Sequence, residues 1–135
     1  MKKIELLQSV ALFWDLSEEE LGYISQKMIA RHYESGKFIF LEDSEGEQCF
    51  FVVQGSVKVT RLSKDGREVI LAMLNEGEFF GEMALLDGES RSANVIALEE
   101  TEVLTLNRED FLVVLHDYPQ IAIQLLKEMA DRLRK

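Results

Sequence analysis

Residues Gly81 to Ala97 read G-E-M-A-L-L-D-G-E-S-R-S-A-N-V-I-A, and their side chains form a set suited to holding an anion next to a hydroxyl. A buried anion needs a fixed positive charge and several N–H donors. Arg91 supplies the charge, and its planar fork matches the geometry of phosphate oxygens. Ser92 adds a hydroxyl. Met83, Ala84 and Leu85 fall where a short helix begins, and free backbone N–H groups at a helix start favour anions. Gly81 has no side chain, so the backbone there can approach a ligand closely. Glu82 is an acceptor. It suits a hydroxyl and would repel phosphate, so its role must differ from that of Arg91. Taken singly, each residue has an ordinary reading: Gly81 as a turn, Glu82 with Arg91 as a surface ion pair. Their combined spacing, followed by the apolar strand Asn94–Leu98, is what favours a ligand site.

The pattern F-G-E-x-[AG]-L followed by R-[ST]-A occurs here as Phe80 to Leu85 and Arg91-Ser92-Ala93. It resembles the phosphate-binding cassette of cyclic-nucleotide-binding domains. The resemblance implies that Glu82 binds the ribose 2′-hydroxyl and that Arg91 and Ser92 hold the cyclic phosphate. Gly81, Met83, Ala84 and Ala93 belong to the same candidate ligand-binding set, with Leu71 and Phe80 beside them. Relatives of this fold that have lost nucleotide binding usually lack the Glu or the Arg, and both are present here.

Composition narrows the alternatives. A chain of 135 residues with 47% apolar residues can build one domain with a real core. No apolar run is long enough to span a bilayer. Lys2 and Lys3 lead into a mixed amphipathic stretch, unlike the start of a secretory signal. Cys49 is the only cysteine. It cannot form an intrachain disulfide or a multi-cysteine metal or iron–sulfur site, and its apolar strand context predicts a buried, inert thiol. These features fit a reducing, cytoplasmic compartment. The net charge of −10 and the lack of a basic run argue against nucleic-acid binding by this chain alone and against anionic membrane surfaces. His32 and His116 fall in different predicted elements, a poor basis for a metal site. No P-loop, Gly-x-Ser-x-Gly or HExxH motif is present, so no enzyme is predicted and no cofactor is implied.

The elements that must position the cassette follow from local signals. Ile4–Leu16 is amphipathic and predicts a short helix with a turn. Ser17 with Glu20 three residues on is a capping box, starting a helix to about Ile29. The segment L-x-x-V-x-L-F-x-x-L-S-x-E-E-L, from Leu7 to Leu21, resembles the N-terminal helices of bacterial regulators of the cyclic-AMP receptor protein family. Strand signals dominate from Ala30 to Leu106. Glu34–Lys37 turns the chain into Phe38–Leu41, Phe50–Val53 and Val57–Thr60 flank Gln54-Gly55, and Asp65-Gly66 marks a hairpin between Arg61 and Val69. Asn75–Glu78 turns toward Phe79-Phe80, and Val103–Leu106 closes the series. Many short strands predict a jelly roll, a double-stranded β-helix. With helices at both ends, the fold class is α+β. The layout is a single domain over 1–135: N-terminal helices over 1–29, a β-roll over 30–106 with the cassette at 80–93, and C-terminal helices over 107–135.

Asn107, Glu109 and Asp110 predict a helix start, with that helix running to about His116. Pro119 suits the first turn of the next helix. Ala122, Leu126, Met129 and Leu133 form a short stripe at a/d spacing, with Ile121 and Leu125 as a second stripe beside it. One stripe can face the β-domain and the other a second subunit; a single broad core-facing helix is the competing arrangement. Arg132 matches, by its spacing from Pro119, an arginine that in the resembled family reaches toward the nucleotide from a lid helix. It equally fits a solvated arginine facing Glu128, four residues earlier. No helix stop follows Leu133. In the cyclic-AMP receptor family this helix continues, dimerises the protein and leads into a helix-turn-helix domain, and the polar contacts to the purine amino group come just beyond Lys135. The expectation is a cyclic-nucleotide-sensing domain for cyclic AMP, with cyclic GMP as the second candidate. It would form a homodimer through its last helix and serve a transcription regulator whose DNA-binding domain lies outside this chain. A kinase or channel regulatory module, or a sensor of another small ligand, are the alternatives.

Overall fold

Alternation along β3 (Gln48–Gln54) explains the architecture. Cys49, Phe51 and Val53 point into one apolar cluster, while Phe50 and Val52 point into another. A strand buried on both faces must lie between two layers. One face meets helices, and the other meets a second sheet. A computed structural model describes residues 7–8, 10–89 and 91–134. Among them, β1 (Ile29–Tyr33), β8 (Thr101–Asn107), β3 and β6 (Phe79–Phe80) form one sheet in that order. The other sheet is β2 (Phe38–Phe40), β7 (Asn94–Ala97), β4 (Val57–Leu62) and β5 (Glu68–Leu74). Every pairing is antiparallel. The result is the predicted jelly roll with helices at both ends. The cluster between the sheets includes Phe50, Val52, Val57, Phe80, Val95 and Val103.

The helices that lie wholly among the described residues are α1 (Glu18–Ser25), α2 (Glu82–Asp87), α3 (Arg108–Asp117) and α4 (Pro119–Leu133). The Ser17 hydroxyl accepts from the Glu20 N–H at 3.1 Å and the Glu20 carboxylate accepts from the Ser17 N–H at 2.9 Å, the reciprocal pair of a capping box. Asn107 caps α3 by accepting from the Asp110 N–H at 2.8 Å, and Pro119 occupies the first turn of α4. At the Asp65-Gly66 turn Gly66 takes φ +83°.

One expectation at the N-terminal end falls partly outside the described residues, and another is corrected. Of the short helix with a turn predicted over Ile4–Leu16, residues 4–6 and 9 lie outside the described residues, Leu7 is helical, and Ala11–Phe13 is a 3-10 turn. Val10, Phe13 and Leu16 each donate a backbone bond three residues back. Leu7, Val10, Phe13 and Leu16 are buried at that same three-residue spacing, which a three-residue turn stacks on one side. The helix from Ser17 ends at Ser25 instead of near Ile29. The Ser25 hydroxyl bonds back to the Gly22 carbonyl, and Lys27 and Met28 make tight three-residue bonds. Ile29 then pairs with Thr105 in β1.

Candidate functional site

Between β5, the α2 segment and α4 lies a cavity of about 720 Å³, and all ten predicted site residues line it. The local fold that builds it begins at Gly81, which leaves β6 with φ +85° and caps α2. A side chain there would be strained by that φ, and its Cβ would sit 2.9 Å from Nη1 of Arg91. Glu82, Met83 and Ala84 follow as the first turn of α2. A second left-handed glycine, Gly88, ends the helix and turns the chain back toward Arg91.

Arg91 is 4% exposed. Its Nη1 donates to the Gly81 carbonyl at 2.6 Å and its Nη2 to the Gln48 carbonyl at 2.5 Å. Nε is buried without a partner among the described residues. No ion pair of Arg91 occurs among them either. Burial pulls the guanidinium down from its ordinary value, opposed by the carboxylates of Glu82 and Glu47. The Arg91 backbone is held on both sides, donating to the Ser44 carbonyl and accepting from the Asp43 N–H. The surface ion pair of Glu82 with Arg91 does not form.

Glu82 faces Arg132 instead. Arg132 Nη1 lies 3.2 Å from Glu82 Oε1 and Nη2 donates to the Phe79 carbonyl at 2.8 Å. The guanidinium also sits 4.4 Å from the Phe79 ring centre. Of the two readings of Arg132, the pairing with Glu128 is thereby corrected: Glu128 accepts from Gln124, and Arg132 turns into the cavity. Burial raises the Glu82 carboxyl above its ordinary 4.5, opposed by its own backbone N–H, Arg132 and Arg91. Cys49 is buried behind the site, and burial pushes its thiol up, as an inert role requires.

The remaining predicted residues divide by exposure. Phe80, Ala84 and Ala93 are buried, whereas Met83 and Leu71 are about half exposed on the cavity wall, at 54% and 50%. Ser92 is exposed, and its carbonyl accepts from Arg61 Nε at 3.2 Å and Nη2 at 2.9 Å. Several contributors have no local signature in the sequence. Arg61 fixes the segment after Arg91. Arg108 of α3 donates from Nη2 to the carbonyls of Gly46 and Ala84. Gly46 presses so close to α2 that an added Cβ would fall 2.2 Å from that of Ala84. Phe40 places its ring 4.1 Å from the Arg91 guanidinium.

The site thus offers one buried carboxylate and one buried guanidinium that are not paired with each other, within an otherwise largely apolar wall. That arrangement suits a ligand carrying both a hydroxyl and an anion. His32 and His116 lie elsewhere, paired with Glu100 and Asp117. No group of three metal-ligating side chains occurs among the described residues, and no helix of theirs is long and apolar enough to cross a membrane.

The family model described as the cyclic nucleotide-binding domain matches residues 30–118. The cyclic AMP receptor protein of Thermus thermophilus is 40% identical over 124 residues, 92% of this chain and 57% of the relative. The cGMP-dependent protein kinase egl-4 of Caenorhabditis briggsae is 39% identical over 135 residues, 97% of this chain and 17% of the kinase. The crystal structure of the Thermus thermophilus catabolite activator protein superposes with a TM-score of 0.84 at 41% identity, covering 91% of this chain and 58% of that one.

Proposed function

This chain belongs to the cyclic nucleotide-binding domain family, and from that premise we propose that it is the cyclic-AMP-sensing effector domain of a bacterial transcription regulator. The observation that carries this reading is the pairing pattern at the cavity: Arg91 and Glu82 line it together yet form no ion pair with each other. An Arg91 with carbonyl partners and an unpartnered Nε keeps donors for a cyclic phosphate. Glu82 keeps lone pairs for a ribose 2′-hydroxyl while one oxygen faces Arg132. The backbone of the first α2 turn and the Ser92 hydroxyl complete the phosphate side. Leu71, Met83 and Phe80 supply apolar wall for ribose and base.

The route to output runs through Arg132. It belongs to α4, and it holds the same carboxylate that the ribose would use. A ligand that redistributes the bonds of Glu82 therefore biases the position of α4, and the response is a population shift between arrangements of that helix. The likeness to the Thermus cyclic AMP receptor protein favours cyclic AMP and a transcriptional output. The likeness to a cGMP-dependent kinase supports the second reading, a regulatory module of a kinase that takes cyclic GMP.

Titration calorimetry with cyclic AMP and cyclic GMP decides between the ligands. Arg91→Ala should cost on the order of 2–5 kcal/mol of affinity, because the phosphate is then buried without its charged partner. A folded Arg91→Ala protein with unchanged cyclic-nucleotide affinity would remove the phosphate from this cavity.

A further inference from the structure

Arg91 carries a buried charge with no carboxylate partner among the described residues, so something other than an ion pair must hold it. Two backbone carbonyls take one donor from each Nη nitrogen. The guanidinium carbon lies over aromatic rings, 4.1 Å from the centre of Phe40 and 5.8 Å from that of Phe50. Both lie within the range where a ring quadrupole attracts a cation, and the nearer ring dominates. Phe40 is itself wedged in place. Its ring centre is 5.8 Å from that of Phe50 and 5.9 Å from that of Phe80, and those two rings stack at 4.9 Å with an interplanar angle of 4°.

The chain just after Phe40 also clamps the Arg91 backbone, through Asp43 N–H and the Ser44 carbonyl. Asp43 takes a left-handed φ of +69° at that point, a conformation uncommon for a residue with a side chain. One short segment thus grips Arg91 twice, by its backbone and by a ring against its guanidinium carbon. The consequence is directional. Guanidinium N–H groups radiate in the plane of the group. A ring held against the guanidinium carbon restrains that plane and leaves the edge donors for an incoming anion. Nε, buried and unpartnered, is one of those edge donors.

We propose that Phe40 is a positioning residue for anion recognition, holding the Arg91 guanidinium by cation–π stacking so that its edge donors meet the phosphate of the ligand. This inference rests on the cyclic-nucleotide reading of the cavity. Phe40→Leu keeps an apolar side chain and removes the π face. Phe40→Tyr keeps the face.

Three measurements on wild type and both variants test it: calorimetric titration with cyclic AMP and cyclic GMP, the nitrogen-15 NMR resonance of the Arg91 Nε–H group, and thermal unfolding. The expected result is an affinity loss of about three- to thirtyfold for Phe40→Leu. Phe40→Tyr should stay within about twofold of wild type, since it retains the stack. The Arg91 Nε–H resonance should move in the leucine variant and hold in the tyrosine variant, whatever the melting temperatures do. Unchanged affinity in Phe40→Leu, an equal loss in both variants, or an Arg91 resonance indifferent to the leucine substitution overturns the role of Phe40 while leaving the cyclic-nucleotide reading intact. A wild type that binds neither cyclic AMP nor cyclic GMP overturns that reading, and the role of Phe40 with it.

Discussion

At the scale of single residues, Glu82 sets the pH behaviour of the site. Its side chain is 5% exposed, and burial outweighs the favourable neighbours, so its folded pKa lies above 4.5. Between those two values the folded protein keeps a proton that the unfolded chain has released. The contribution of Glu82 to stability is therefore present in full below 4.5 and is lost as pH rises through the folded value. Urea unfolding of wild type and Glu82→Gln across this window should show the wild type losing stability relative to the variant as pH rises; parallel profiles would remove the titration from Glu82. Arg132 is one of the groups holding this pKa down, so Arg132→Gln should extend the window to higher pH. The same carboxylate should also govern ribose recognition. Wild type is expected to bind 2′-deoxy cyclic AMP much more weakly than cyclic AMP, and Glu82→Ala to discriminate little between them. A variant that keeps the full preference gives Glu82 another role.

At the scale of elements, α4 divides its apolar residues by direction. Ile121 and Leu125 are buried in the core under the helices, and Met129 packs against the same cluster. Ile123, Leu126 and Leu133 are 55%, 67% and 87% exposed. The single broad core-facing helix is thus not what forms, and Met129 leaves the stripe it was assigned to, because a four-residue step from Leu125 returns it to the core face. The exposed set is the candidate subunit seam. In sedimentation, Ile123→Glu with Leu126→Glu should convert dimer to monomer. Its effect on the melting of the monomer should stay within about 0.5 kcal/mol per surface change. A wild type that remains monomeric at high concentration removes dimerisation from this helix.

At the scale of the whole molecule, the net charge of −10 opposes the phosphate neutralisation on which nucleic-acid affinity depends. No binding of residues 1–135 to duplex DNA is expected at physiological salt, with or without cyclic AMP. The same protein should gain about 2.7 kcal/mol of stability at a ligand concentration 100 times Kd, because only the folded state binds. That gain appears as a shift of several degrees in Tm. A melting temperature that stays flat across cyclic AMP, cyclic GMP and their linear monophosphates would point to a different ligand in this fold. DNA binding by these residues alone would contradict the sensor-only reading.

What the sequence by itself determined is what a few neighbouring residues decide. Ser17 and Glu20 close their capping box, Asn107 caps α3, Pro119 opens α4, and Gly66 turns the β4–β5 hairpin, each through bonds or dihedrals spanning four residues or fewer. The cassette spacing likewise brought Glu82 and Arg91 to one cavity, since Glu82 opens a single short helix held between two glycines and Arg91 follows it closely. Only the tertiary structure decided their partners. The two carbonyls that hold Arg91 lie 10 and 43 residues away, and Arg132 reaches Glu82 across 50. Arg61, Arg108, Gly46 and Phe40 carry no local mark of their roles, because those roles exist only once strand register and loop closure bring them to the cassette. The 3-10 turn at Ala11–Phe13 belongs to the same class. Its apolar residues fit a helical period in isolation, and burial against the helical core selects the tighter turn. Local rules act through bonds that close within a turn, whereas a buried charge takes whichever dipoles and rings the folded chain brings within reach.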